Sequence, residues 1–118
     1  MRTIHCALIA AGLLATTAPA VAKDNLGYAA IQAGDYSAAE RSINAERRIF
    51  PDMPELLLNL AVVYQQTGRK ADARELYIRV LQQDEVMLDT SARTSVSSYD
   101  VARAGLARLK VVFADRNN

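Results

Sequence analysis

The chain has 118 residues, which suits a single domain, and its 51% hydrophobic and 23% charged residues are typical of a folded globular protein. Its 14 basic and 13 acidic residues nearly balance, so the overall charge creates no field that attracts phosphate. We therefore expect no nucleic-acid partner.

The first 22 residues have the pattern of an export signal. A positive start at Met1-Arg2 precedes a short apolar run from Ala7 to Ala15, and Ala20-Val21-Ala22 forms a small-x-small cleavage site. The sequence therefore predicts a secretory signal peptide over residues 1–22 and a periplasmic or secreted mature chain. An uncleaved anchor is the alternative, but polar residues and a short apolar centre favour cleavage, so we expect membrane contact only through the signal peptide.

Cleavage would remove the only cysteine and the only histidine of the chain, Cys6 and His5. A mature chain without either residue cannot form a disulfide, a cysteine–histidine or serine–histidine nucleophile, or a zinc site with the usual ligands. Arg2 would also be lost, so 13 basic residues would face 13 acidic ones. The sequence predicts no cofactor and no metal site, and an enzyme is the weakest of the possible functions.

An internal repeat follows the leader. Three pairs of positions share a spacing of 34 residues, namely Leu26 and Leu60, Gly34 and Gly68, and Ala39 and Ala73. A fixed period of this length indicates stacked helical units. In the second unit the apolar residues fall at helical spacing on two successive segments, which are Leu57, Leu60, Ala61 and Tyr64, and then Ala73, Leu76, Tyr77, Val80 and Leu81.

This pattern resembles the tetratricopeptide repeat (TPR) family. The second unit, residues 54–84, keeps the large-small pair, the aromatics and the turn glycine, and departs from the family at Val80 and Glu85. The first unit, residues 23–53, is less regular, with Ala30 and Ile43 in place of aromatics. The resemblance implies an all-α fold, an α-α superhelix of two TPR-like helical hairpins plus a C-terminal capping helix.

Turn glycines and helix-capping residues predict where the helices of the two hairpins end and begin. Gly34 and Gly68 can adopt the left-handed backbone that ends a helix. Ser37-x-x-Glu40 has the form of a capping box, and Asp52-x-Pro54-Glu55 is a helix start signal.

The period fails after the second unit. Residues 85–97 are rich in serine and threonine, which predicts a polar loop. Residues 98–115 then carry Tyr99, Ala102, Leu106, Leu109 and Phe113 at steps of three and four, which predicts a helix with one apolar face. Such a helix could close the exposed side of a short array.

The candidate binding residues follow from the resemblance, since the first helix of each hairpin lines a concave surface in such arrays. The candidates are Asn25, Tyr28, Ile31, Gln32, Glu55, Leu58, Asn59, Val62, Gln65 and Gln66. Ile31, Leu58 and Val62 make the groove partly apolar, which favours an amphipathic helix or an extended peptide. We expect Leu58→Asp to weaken binding without loss of stability. The alternative is that the closing helix or the chain's own N-terminus fills the groove.

The predicted function is protein–protein interaction. The leader is similar to those of small exported bacterial members of the family, which implies an adaptor or assembly factor in the cell envelope that binds a protein or peptide partner. The alternative is a structural protein that completes its core as a homodimer, since two repeats are few for a stable array.

Overall fold

The computed structural model describes residues 27–90 and 92–115, with side chains described through Lys110. The expected signal peptide, residues 1–22, and the candidate Asn25 lie outside the described residues. In chain order the elements of this part are α1 (Tyr28–Gln32), α2 (Tyr36–Arg47), α3 (Pro54–Gln66), α4 (Lys70–Leu81), β1 (Met87–Asp89), β2 (Ser95–Ser97) and α5 (Ser98–Asp115). This mostly helical arrangement confirms the predicted all-α fold class.

Glycines make the turn inside each helical hairpin. The backbone φ angle is 73° at Gly34 and 82° at Gly68, in the left-handed region that a side chain disfavours. The Arg69 amide then bonds to the Tyr64 carbonyl oxygen at 2.8 Å across the second turn. The first helix of each hairpin therefore ends where the sequence predicts a turn.

The start of α2 differs from the predicted capping box. Asp35 is the N-cap residue, and its side chain accepts a hydrogen bond from the Ala38 amide at 3.1 Å. Ser37 lies inside the helix, where its hydroxyl oxygen accepts a hydrogen bond from Arg41 at 2.9 Å. The expected Ser37-x-x-Glu40 box is therefore wrong, because the aspartate directly before the helix reaches the free amide first.

The centre of the fold is α3. It begins with Pro54 at its first position, where a missing amide hydrogen costs nothing, and it packs against α2, α4 and α5. All eight residues from Leu56 to Val63 are buried. The core cluster also takes in Ile43 of α2, Tyr77 of α4 and Leu109 of α5, so one apolar core joins both hairpins to the last helix.

The segment expected to be a polar loop, residues 85–97, contains a β-hairpin. Strands β1 and β2 pair antiparallel, with Leu88 opposite Val96. Leu88 is buried in the core while its neighbours on β1 are exposed, and the Thr90 amide bonds to the Thr94 carbonyl oxygen at 2.9 Å. The prediction of a loop is corrected here because one buried leucine and flanking β-branched residues are sufficient to hold two short strands on the core.

Helix α5 returns antiparallel along α4. The Tyr99 hydroxyl donates to the carbonyl oxygen of Gln83, just beyond the end of α4, and Gly105, about 1.7 turns further along α5, faces the ring of Tyr77. A Cβ atom at position 105 would lie well inside van der Waals contact with that ring. The absence of a side chain at Gly105 therefore lets the last helix approach the second hairpin closely.

Gly105→Ala tests this contact. We expect the free energy of unfolding to fall by about 1–3 kcal/mol, because overpacking against the buried Tyr77 ring exceeds the gain of about 1 kcal/mol in helix propensity. Urea denaturation measures the loss. The double variant with Tyr77→Leu should lose less than the sum of the two single variants; simple additivity would show that the two residues do not touch.

Candidate partner-binding surfaces

The predicted concave-face residues divide by exposure. Those that remain at least partly accessible are Tyr28, Gln32, Glu55, Gln65 and Gln66. Those that are buried are Ile31, Leu58, Asn59 and Val62. With exposures of 1% at Leu58 and 3% at Val62, these apolar side chains cannot form the wall of an open groove. Their predicted exposure is therefore corrected.

The reason lies in the sequence of α3 itself. Seven of the eight residues from Leu56 to Val63 are apolar, and a helix that is apolar all round is buried all round. In a repeat hairpin taken alone, one face of α3 would point outward, whereas in this chain α5 packs against α3 as a further neighbour. The unbroken apolar run is the signal that could have shown this.

A polar cluster joins α3, α4 and α5 beside the buried stretch. The Tyr77 hydroxyl donates to Gln65 Oε1 at 2.9 Å, and the Tyr77 side chain is fully buried. Burial raises the pKa of Tyr77 to about 12, while the positive charge of Arg108 acts in the opposite direction. Gln65 is thus committed to a structural hydrogen bond, which limits its use as a contact for a partner.

The arginines of the second hairpin tie the two hairpins together. Arg69 bonds to Glu40 of α2 at 2.8 Å and to Asp72 at 3.1 Å, and Arg79 pairs with Asp52 in the turn before α3. The pKa of Arg69 is raised, first by its hydrogen bond to Glu40 and then by that to Asp72. In the structure these two arginines therefore form ion pairs within the fold.

An apolar groove lies between α4 and α5. Its cavity has a volume of about 160 Å³ and is lined by Ile78, Leu106 and Leu109, with Arg74 and Lys110 also on its wall. A larger and more open cavity of about 480 Å³ lies along α2, but its lining is mainly polar, comprising Ser37, Glu40, Arg41, Asn44, Ala45 and Arg48. Of these two, the α4–α5 groove offers the more apolar surface for a partner.

The described part of the chain shows neither a metal-binding cluster nor a membrane-spanning helix. No group of three or more acidic, histidine or cysteine residues in that part of the chain is placed to hold a metal ion. None of its helices combines the length and the apolar character needed to cross a membrane.

The helical hairpins match the model of a known protein family. The family model of the tetratricopeptide repeat matches residues 30–86, from within α1 to the residue before β1. These residues belong to the tetratricopeptide repeat family. No curated protein and no solved structure gives a significant match to the chain.

Tetratricopeptide repeats form protein-interaction modules, so the chain carries such a module. Within its two repeats, Gln32 of α1 and Gln66 of α3 occupy equivalent positions, 34 residues apart. Gln32 is exposed and Gln66 is partly exposed. Each amide both donates and accepts hydrogen bonds, and the pair therefore forms a repeated polar feature on the first helices.

Leu58→Asp tests the corrected position of Leu58. We expect this substitution to lower the free energy of unfolding by about 3–5 kcal/mol, because it buries a carboxylate in an apolar site. Gln66→Asp on the same helix is the matched control and should change stability by about 0.5 kcal/mol or less. Equal stability of the two variants by thermal and urea denaturation would place Leu58 on an exposed face.

The raised pKa of Tyr77 predicts a loss of stability at alkaline pH. Below about pH 10 the phenol is neutral in both states; between about pH 10 and pH 12 only the unfolded chain releases this proton, so stability falls as pH rises. The loss attributable to Tyr77 should reach about 2–3 kcal/mol at the upper end. Urea denaturation across this range should show a shallower decline for Tyr77→Phe, and an unchanged slope would contradict the assignment.

Proposed function

We propose that the chain is an exported adaptor or assembly factor of the bacterial cell envelope, which binds a protein or peptide partner and catalyses no reaction. The observation that carries the proposal is the family match over two consecutive hairpins. Repeats of this family hold partners on surfaces that several helices build together. The leader-like composition of residues 1–22 supports export.

The first helices supply the contacts in this proposal. Gln32 and Gln66 can bond to the backbone of an extended or helical segment that lies across α1 and α3. Glu55 and Tyr28 are partly exposed and add a carboxylate and an aromatic ring to the same two helices. Recognition therefore depends mainly on polar groups at this surface, since Leu58 and Val62 are buried.

A crosslinking pull-down from the periplasm tests the proposal. The full chain, expressed with its own N-terminus, is compared with a Gln32→Arg, Gln66→Arg variant and with a control, Ser42→Arg, Gln82→Arg, that adds the same charge at exposed positions elsewhere. We expect the wild-type chain and the control to capture the same protein. The variant should lose it, because two long cations replace the amides at the contact surface.

Three results would contradict parts of the proposal. Recovery of only the chain itself would favour the self-associating structural alternative, in which a second copy is the partner. A chain that stays full-length in the cytoplasmic fraction would contradict export, whatever it captures there. Loss of the same partner from variant and control alike would contradict the assigned surface.

A further inference from the structure

We propose that the α4–α5 groove is a second binding surface, which takes an acidic amphipathic helix of a partner protein. The partner helix would place one large apolar side chain in the cavity between Ile78, Leu106 and Leu109 and would set carboxylates against Arg74 and Lys110. This surface is separate from the one proposed for Gln32 and Gln66.

The size and lining of the cavity determine which apolar side chain of a ligand fits there. An apolar cavity of roughly 150 Å³ is large enough for a benzene ring, and this cavity has a volume of about 160 Å³. Ile78 and Leu106 are partly exposed while Leu109 is buried beneath them. One phenylalanine or leucine side chain therefore fills the cavity and removes the exposed parts of Ile78 and Leu106 from water.

The direction of the helices sets the position of the charges. Because Tyr99 lies beside Gln83 and Gly105 beside Tyr77, α5 runs antiparallel to α4. Lys110 lies about 1.4 turns beyond Gly105 and therefore reaches the same end of the groove as Arg74, near the start of α4. The groove thus combines an apolar centre with two cations at one end.

Arg74 and Lys110 differ from Arg69 and Arg79 in having no ion pair within the described part of the protein. Arg69 and Arg79 each bond to a carboxylate of the protein. Neither Arg74 nor Lys110 has an ion-pair partner among the residues that the structure describes, and both are exposed. Carboxylates on the partner would complement this positive end of the groove, whereas lysines would be repelled.

The shape of the surface favours a helix over an extended strand. Two adjacent helices present a furrow into which the side-chain ridge of a third helix packs. A helix bonds its own backbone groups, while a strand laid on Ile78, Leu106 and Leu109 would leave amide and carbonyl groups against an apolar wall. An amphipathic helix is therefore the ligand that packs into the furrow and also keeps its own backbone groups hydrogen-bonded.

Two synthetic peptides test the proposal on the full chain. Both carry the same stripe of leucine and phenylalanine at helical spacing; one has glutamates flanking the stripe and the other has lysines. Fluorescence anisotropy gives each Kd, and chemical shifts of the Ile78 and Leu106 methyl groups locate the contact. We expect the acidic peptide to bind about tenfold or more tightly than the basic one, and to shift both methyl groups.

Charge reversal provides the matched comparison. Arg74→Glu, Lys110→Glu should reverse the preference between the peptides, while the control Arg41→Glu, Arg93→Glu, which changes the net charge equally at exposed positions elsewhere, should keep it. Equal binding of the two peptides, a preference that survives reversal, or shifts confined to α1 would each overturn the proposal.

A second copy in the groove would also overturn the proposal. In that case sedimentation would show a concentration-dependent dimer that the Arg74→Glu, Lys110→Glu variant abolishes. Neither result bears on the partner captured through Gln32 and Gln66, so the two surfaces can fail independently.

Discussion

Helix α3 contributes eight consecutive buried residues, Leu56 to Val63, and no single neighbouring helix can cover more than one side of them. The helices around α3 together cover these residues. Helices α2 and α4 cover α3 within the two hairpins, and α5 adds a further contact from beyond the second hairpin. A fully buried leucine is worth about 1.5–3 kcal/mol, so the four leucines of this run are a large share of the stability of a small domain.

This burial decides which surfaces are left for binding. The apolar side chains that would have lined a concave groove, Leu58 and Val62, are part of the core. The predicted contact residues that stay accessible on the first helices are mainly polar, including the equivalent amides of Gln32 and Gln66. An apolar surface is instead present in the α4–α5 groove, because α5 lies against α4 and leaves Ile78 and Leu106 partly uncovered. The two proposed binding surfaces therefore differ in character, one polar and one partly apolar.

The sequence predicted the architecture well where local chemistry is decisive. The 34-residue period and the turn glycines Gly34 and Gly68 indicated the hairpins, since a left-handed turn is a local property of the backbone. The β-hairpin was missed because Leu88 holds it through a long-range contact with the core. Exposure at Leu58 was wrong for a similar reason, since it depends on all the neighbours of α3 rather than on its position in one repeat. The α4–α5 groove required the tertiary structure, because its lining comes from two helices that are distant in sequence.

Native-state hydrogen exchange measures most directly whether α3 is the buried centre of a monomeric array. We expect the amides of α3 to exchange only through global unfolding, more slowly than those of α1, and at the same rate over a wide range of protein concentrations. Protection of α3 no greater than that of α1 would contradict a central α3. Protection that rises with protein concentration would show that a second copy, rather than the chain itself, completes the core.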